Sequence, residues 1–201
     1  MKWVRALVSA TCVVLYGIAV QVTAQPVAKA SSAGSAVASQ PAASAAPPEV
    51  LATLGPVSLQ GQQQFRWLGF RVYRIRLWSL QTVPAQRYAR HAFALELQYD
   101  RSFKGADIAE RSIDEMADLA QFDDTRREQW LDFMRRAFPD VQEGDRLTGV
   151  NDPSGTVTFY FNGRQTATLQ DAEFARLFFG IWLAPETSEP EMRQALLGLA
   201  Q

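Results

Sequence analysis

Two central segments of the chain alternate apolar and polar side chains, and this period of two restricts the fold more than any other feature. In residues 70–78 one side of the predicted strand is apolar and the other amphipathic: Tyr73, Ile75 and Leu77 against Val72, Arg74, Arg76 and Trp78. Residues 92–100 repeat the pattern, with Phe93, Leu95, Leu97 and Tyr99 on the apolar side. Such alternation predicts strands of an antiparallel sheet that is covered on one face.

The remaining strands are predicted from shorter patterns. Residues 57–60 and 65–67 alternate on either side of a polar stretch, 61–64, that we interpret as a turn. Further along the chain, the predicted strands are 145–150, 156–161 and 164–169. Asn162-Gly163 separates the last two and is a strong signal for a tight type I′ hairpin. The last third of the chain therefore begins as a β-meander.

Four helices are predicted where the apolar spacing changes to three and four residues. They span 105–119, the residues from Asp123 to Pro139, those from Asp171 to Pro185, and a final segment from Ser188 or Glu189. Aspartates at 123 and 171 are suitable N-caps, and the prolines end the helices. Combined with the strands, they predict an α+β fold, an antiparallel β-sheet covered on one face by helices.

The first residues have the layout of a signal peptide. Lys2 and Arg5 precede an almost uncharged apolar stretch, 6–22, and small residues lead up to Ala24. This predicts cleavage after Ala24, and hence a periplasmic or secreted protein with no stable membrane span after cleavage. A retained membrane anchor is the alternative, because the stretch approaches the length of a span.

The chain then divides into two further parts. Residues 25–49 are rich in Ala, Ser and Pro, and a segment of this kind cannot bury enough apolar surface to offset its ordering entropy. We therefore predict a disordered linker at 25–49 and one folded domain at 50–201. The formal net charge of −1 provides no overall field for nucleic acid, so nucleic-acid binding is not predicted.

Residues with metal or cofactor chemistry are scarce in the sequence. Cys12, the single cysteine, lies in the predicted signal peptide, and His91 is the single histidine. The glycines form no phosphate-binding loop. Acidic residues between 107 and 124, Glu115 among them, are interpreted as exposed sides of helices rather than a cation site. We therefore predict neither a metal nor a cofactor.

Residues 65–90 contain six arginines and no acidic residue: Arg66, Arg71, Arg74, Arg76, Arg87 and Arg90. We interpret them mainly as solvated positions on a sheet face. A groove that binds anions is the alternative interpretation.

Three pieces of the chain carry a resemblance to a known family. They are residues 69–78, the pair Gly144-Asp145 ahead of the hairpin at Asn162-Gly163, and 179–183 followed by Leu196-Leu197-Gly198. In order and spacing they resemble the bacterial exported branch of the chalcone isomerase-like family, over nearly the whole predicted domain.

The resemblance implies an open-faced β-sandwich, in which a large antiparallel sheet and a layer of helices enclose a ligand cleft. Plant members of this family cyclise chalcones to flavanones, and related members bind fatty acids; both use an arginine to hold the anionic group. In the isomerases this arginine lies on an early strand and a threonine on the next. Tyr73 stands at the threonine position, whereas 61–64, at the arginine position, contain no arginine and Arg66 is the nearest substitute.

These departures favour an exported, non-catalytic domain that binds a small amphiphile such as a fatty acid. The predicted ligand-binding residues are Arg66, Arg71, Tyr73 and Tyr99, with Arg66 or Arg71 and Tyr73 nearest the anionic end. Aromatic rings would take the tail and a bidentate arginine the head. A chalcone isomerase-type intramolecular lyase and a structural or partner-binding envelope protein are the alternatives, and no catalytic residue is assigned.

Overall fold

The computed structural model describes residues 45–199, and the predicted signal peptide and most of the predicted linker lie outside this range. The helices are α1 (Pro48–Leu54), α2 (Gly105–Leu119), α3 (Asp124–Ala137), α4 (Ala172–Leu183) and α5 (Pro190–Leu197), with a 3-10 turn at Tyr88–Arg90. The strands are β1 (Ser58–Trp67), β2 (Phe70–Ser79), β3 (Phe93–Tyr99), β4 (Arg146–Asn151), β5 (Thr156–Phe161) and β6 (Arg164–Gln170). The first helix starts at Pro48, within the last residues of the segment predicted as a linker.

The six strands form one antiparallel sheet in which the spatial order is the chain order, β1 to β6. Helices α2 and α3 are inserted between β3 and β4, and α4 and α5 follow β6. The main core lies between these four helices and the face of the sheet that carries Tyr73, Ile75 and Leu77, which we call the inner face. The predicted fold class is confirmed.

Helix α4 forms the centre of the helical layer. From Phe174 to Leu183 every side chain but Arg176 is buried, so the helix is apolar almost all round, as expected for one enclosed by other elements. The ring of Phe179 meets Phe93 of β3 edge to face at 4.8 Å. The cap residue Asp171 accepts bonds of 3.0 Å from the first-turn amides of α4 and a 2.9 Å bond from Trp130 Nε1 of α3.

The turn predicted at residues 61–64 is wrong, because β1 continues through it. Gln62, Gln63 and Gln64 pair with β2 in register, and the two irregularities of this pairing lie on either side of them, between Leu59 and Gly61 and between Phe65 and Arg66. The polar run resembles a turn in composition, but its backbone is paired with β2 and Gln64 also has side-chain partners. Gln64 Nε2, for example, donates 2.8 Å bonds to the carbonyl of Tyr73 and to Asp100 Oδ2.

A bulge in β2 changes the side on which Val72 lies. Phe65 pairs with Tyr73 and Arg66 with Arg71, so Val72 is an extra residue on its strand. Two residues of a bulged strand oppose one on the partner strand, and strict alternation is lost there. Val72 and Tyr73 are therefore both buried in the main core, and the prediction that Val72 lies with Arg74 and Arg76 on the opposite face is wrong.

The opposite face, which we call the outer face, has a smaller core of its own beneath α1. Val50 of α1 packs there against Trp78, Ala94 and Val150. Four buried positions on this face are polar or charged: Glu49, Arg76, Glu96 and Thr148. The interpretation of the arginines as solvated is correct for Arg66, Arg71, Arg74, Arg87 and Arg90, which are exposed, and wrong for Arg76, which is 7% exposed.

Glu96 connects the charged groups of the outer face. Its Oε1 pairs with Arg76 Nη1 at 2.9 Å, and its Oε2 accepts a 2.8 Å bond from Trp78 Nε1. Arg146 Nε lies 3.8 Å from Glu96 Oε1, and Arg146 Nη2 donates a 3.0 Å bond to Glu49 of α1. A buried charge needs such partners because desolvation is costly. The network therefore joins β2, β3, β4 and α1.

We expect Glu96→Gln to lower the free energy of unfolding by about 3–5 kcal/mol, because the buried guanidinium of Arg76 would lose its carboxylate partner. Glu110→Gln is the matched control, since its pair with Arg135 is exposed to solvent and exposed pairs contribute about 1 kcal/mol or less. Urea unfolding followed by tryptophan fluorescence measures both losses. Equal losses in the two variants would contradict the structural role of Glu96.

Candidate functional site

A small apolar cavity lies between the inner face of the sheet and helices α2 and α4. Its volume is about 30 Å³. The lining residues come from β3, α2, the end of α3, β4, β5 and α4: Leu95, Leu97, Tyr99, Ile108, Ser112, Phe138, Leu147, Gly149, Phe159, Phe178 and Trp182. This space admits about one or two water molecules. The layer is thus nearly filled by side chains in this conformation.

Two small residues are among those that line the cavity. Gly149, in the middle of β4, presents no side chain, and a Cβ there would stand 3.1 Å from the rings of Phe159 and Phe179. Ser112 faces the cavity from α2, and its hydroxyl donates a 2.8 Å bond to the carbonyl of Ile108 in its own helix. Because this bond uses the hydroxyl proton within the helix, the wall is mostly apolar.

Trp182 connects the cavity to a buried polar group. One side of Trp182 lines the cavity, and its Nε1 donates a 3.2 Å bond to the hydroxyl of Tyr73. Phe65 stacks on Tyr73 at 5.0 Å, and Tyr99 meets Tyr73 edge to face at 6.2 Å. Burial raises the pKa of Tyr73 well above its usual value, and the nearby Tyr99, Glu189 and Glu115 add to this. Tyr73 is therefore a protonated phenol at neutral pH.

Glu115 of α2, one of the acidic groups that act on Tyr73, belongs to a buried ion pair. Arg111 of α2 forms an ion pair with Glu115 one turn later, and both side chains are largely buried, 12% and 3% exposed. Ser188 Oγ, in the connection from α4 to α5, donates a 3.0 Å bond to the other oxygen of Glu115. The interpretation of Glu115 as part of an exposed acidic face is therefore wrong. Arg111 and Glu115 fit an i, i+4 ion pair in the sequence, but nothing in the pattern indicated their burial.

A groove of about 270 Å³ opens beside this ion pair. It lies between α2 and the connection that follows α4, and its lining residues are Glu115, Asp118, Leu119, Ile181, Glu186, Thr187 and Ser188. The groove borders the helical layer where α2 and α4 meet, and it offers one approach to that layer from solvent.

The structure brings together two of the four residues predicted to bind a ligand. Tyr73 and Tyr99 are buried and in ring contact on neighbouring strands. Arg66 and Arg71 pair across the β1–β2 hairpin beyond the bulge and are exposed. The bulge at Val72 separates Arg71 from the buried side of the strand, so neither arginine lines the cavity.

The stretch of β1 at which the resemblance would place an arginine is closely packed. Gly61 lies against α5, where a Cβ would overlap the carbonyl oxygens of Ala195 and Leu196. A guanidinium at this position would displace the helix. Within residues 45–199, no cluster of histidine, cysteine and acidic side chains is arranged to hold a metal ion. None of the helices in that range has the length and hydropathy needed to cross a membrane.

Comparisons with known proteins agree with this architecture. A model of the family described as "Chalcone isomerase-like" matches residues 59–198. A protein of Haemophilus influenzae (strain ATCC 51907 / DSM 11121 / KW20 / Rd), described as uncharacterized, is 31% identical over 138 residues, which is 69% of this chain; the chain spans 66% of that relative. The crystal structure of a fatty-acid binding protein of Arabidopsis thaliana superposes with a TM-score of 0.54 at 11% identity, covering 70% of this chain and 86% of that one.

The structural likeness at this identity shows the fold, and the family model covers more than half of the chain. The helical layer, the buried Tyr73 and the six-stranded sheet from its second residue onward lie within the matched residues. The chain belongs to the chalcone isomerase-like family.

Proposed function

We propose that this protein is exported and binds a small amphiphile such as a fatty acid, without catalysis, between the inner face of the sheet and the helical layer. The observation that carries the proposal is the position of Trp182, which lines an apolar cavity and donates to the buried hydroxyl of Tyr73. An apolar wall that ends at hydrogen-bonding groups suits a ligand with an apolar tail and a polar head. The Arabidopsis protein of the same fold is described as a fatty-acid binding protein, which supports this ligand class.

Binding requires the helical layer to open. The cavity measures about 30 Å³, whereas pockets for small molecules occupy roughly 300 Å³ or more. The opening would begin at the groove beside Glu115, because solvent already reaches the layer there. We propose that α2 and α4 separate slightly and that the tail lies along the inner face, from Tyr99 toward Phe159.

The head group of the ligand would bind near Tyr73 and Arg111. A protonated phenol donates to a carboxylate, and a guanidinium offers two parallel donors to its oxygens. In the closed protein Arg111 binds Glu115 instead, so a fatty acid would compete with this internal carboxylate. Arg66 and Arg71, the guanidinium groups predicted from the sequence, are the competing candidates.

The lyase alternative requires a cation that stabilises the attacking phenolate. Gly61 and Gln64 occupy the corresponding part of β1, and the charge of Arg111 is balanced by Glu115. These contacts favour binding over catalysis. Turnover of a hydroxychalcone above the solvent rate, abolished by Arg111→Gln, would instead establish the lyase alternative.

Export is proposed from the sequence of residues 1–24. Expression of the full chain in a Gram-negative host tests it, with mass spectrometry of the N-terminus and fractionation of the cell envelope. A mature protein that begins at Gln25 in the periplasm or medium is expected. Retention of residues 1–24 on the purified protein would contradict cleavage.

We expect Ser112→Leu to weaken binding of a fluorescent fatty acid at least about tenfold, because the larger side chain would occupy the cavity and oppose entry of the tail. Lipid extraction with mass spectrometry of the purified protein should show the matching loss of bound amphiphile. Ser58→Leu, at an exposed position of β1, is the control and should bind as the wild type does. Unchanged affinity in Ser112→Leu would contradict a ligand between sheet and helices.

A second set of variants tests which guanidinium holds the head group. We expect Arg111→Gln to weaken fatty-acid binding about tenfold or more, since charge-assisted hydrogen bonds contribute about 1.5–3 kcal/mol. Binding of a fatty alcohol with the same chain length should change little. Arg111→Gln alone leaves the buried carboxylate of Glu115 without its ion-pair partner, which could disturb folding. The Arg111→Gln/Glu115→Gln double variant removes both charges and controls for this effect.

Arg66→Gln and Arg71→Gln serve as matched variants in the same titrations. If either of them, rather than Arg111→Gln, selectively weakens fatty-acid binding, the head group lies at the hairpin as the sequence suggested. Isothermal titration calorimetry provides the affinities. If all three variants bind the fatty acid with the affinity of the wild type, an arginine at the head group is contradicted.

A further inference from the structure

The end of the β1–β2 hairpin, residues 66–71, is apolar and exposed, and we call it the hairpin tip. Leu68 is 77% exposed and Phe70 is 62% exposed, the highest values among the large hydrophobic residues in the range 45–199. Trp67, between Arg66 and Leu68, is half-buried. Single exposed apolar residues are ordinary, but adjacent ones at a projecting end form a patch that indicates an interaction.

The hairpin tip projects beyond the rest of the sheet. The last residue pair between β2 and β3 is Tyr73 with Tyr99, and one further bond joins Asp100 N to the carbonyl of Val72 at 2.9 Å. Past that bond β2 pairs with β1 alone. At about 3.4 Å per residue the tip extends roughly 7–10 Å from the sheet. Leu68 and Phe70 of the tip are therefore accessible to an outside surface.

The backbone of the tip does not explain why Leu68 is a leucine. Leu68 and Gly69 both have positive φ, 47° and 83°, as the two central residues of a type I′ turn require. The other tight hairpin of this protein has Asn162 and Gly163 at the same two positions, with φ of 49° and 86°. Leucine is strained in this conformation and asparagine is not. Folding alone would favour asparagine at position 68, so the conformation of the turn does not account for the leucine.

Three cationic side chains surround the apolar end. Arg66 and Arg71 flank it on the two strands and are exposed, and the guanidinium of exposed Arg101 lies 5.5 Å from the centre of the Phe70 ring. The salt bridges formed within residues 45–199 involve none of these three arginines. Their charges are thus available to an anionic partner.

We propose that the hairpin tip inserts into the surface of an anionic lipid bilayer. Leu68 and Phe70 would enter the boundary between headgroups and acyl chains, which lies at a depth of about 5–10 Å, comparable to the projection of the tip. Arg66, Arg71 and Arg101 would bind phosphate groups around them. An apolar end with a cationic rim fits this surface because a bilayer has apolar acyl chains beneath a layer of anionic headgroups. The apolar residues would meet the chains, and the arginines would meet the headgroups. The proposal does not depend on amphiphile binding in the core.

The test measures co-sedimentation of the protein after signal removal, residues 25–201, with vesicles. Vesicles of mixed phosphatidylglycerol and phosphatidylcholine are compared with vesicles of phosphatidylcholine alone. We expect binding to the anionic vesicles that weakens at high salt. Leu68→Asn should reduce this binding at least about tenfold, because the apolar area of the leucine side chain would no longer be buried in the bilayer. Its melting temperature should equal or exceed that of the wild type, because asparagine suits the positive φ.

Two further variants complete the test. Leu80→Gln removes an exposed leucine, 49% accessible, at the other end of β2, and it should bind vesicles as the wild type does. The Arg66→Gln/Arg71→Gln/Arg101→Gln variant should lose the preference for anionic vesicles. Absence of wild-type binding to either vesicle, as expected if the tip contacts a protein, overturns the proposal, and so does equal binding by Leu68→Asn. Fatty-acid affinity in solution should be the same in Leu68→Asn and wild type. Vesicle binding by the tip and fatty-acid binding in the core can therefore each fail without the other.

Discussion

The packing of α4 against the inner face of the sheet is the contact on which the rest of the structure depends. Its apolar surface is buried on nearly every side, and Asp171 fixes its start by capping the helix and binding Trp130 of α3. The same helix supplies Phe178 and Trp182 to the cavity. Any ligand between the layers must therefore displace part of the principal core contact, which couples binding to local stability.

The two faces of the sheet are stabilised by different physical means. The inner face buries aromatic and aliphatic side chains under four helices, and the outer face buries the Glu96 network under one short helix. β2 takes part in both, with Tyr73 on one side and Trp78 on the other. A strand fixed from both sides provides a rigid wall, so an opening of the inner layer falls to the helices.

Most elements follow from the sequence because their patterns are local. The alternation of β2 and β3, the aspartate caps of α3 and α4 and the Asn162-Gly163 turn each predict the observed structure within a few residues. The failures arise where tertiary contacts decide. The bulge at Val72 depends on pairing with β1, and the burial of Arg76 and Glu115 depends on charged partners from other elements. For this reason the largely buried guanidinium of α2, Arg111, could not be selected from the sequence.

The strand order divides the sheet into two three-stranded meanders, which meet where β3 pairs with β4. Each meander joins neighbours along the chain, but the central pairing must close a loop that contains α2 and α3. Loop closure costs entropy before the contacts that offset it can form. Glu96 lies on one side of this seam and Arg146 on the other. Their attraction stabilises only the joined sheet, so the outer-face charges favour completion of the fold over its separate halves.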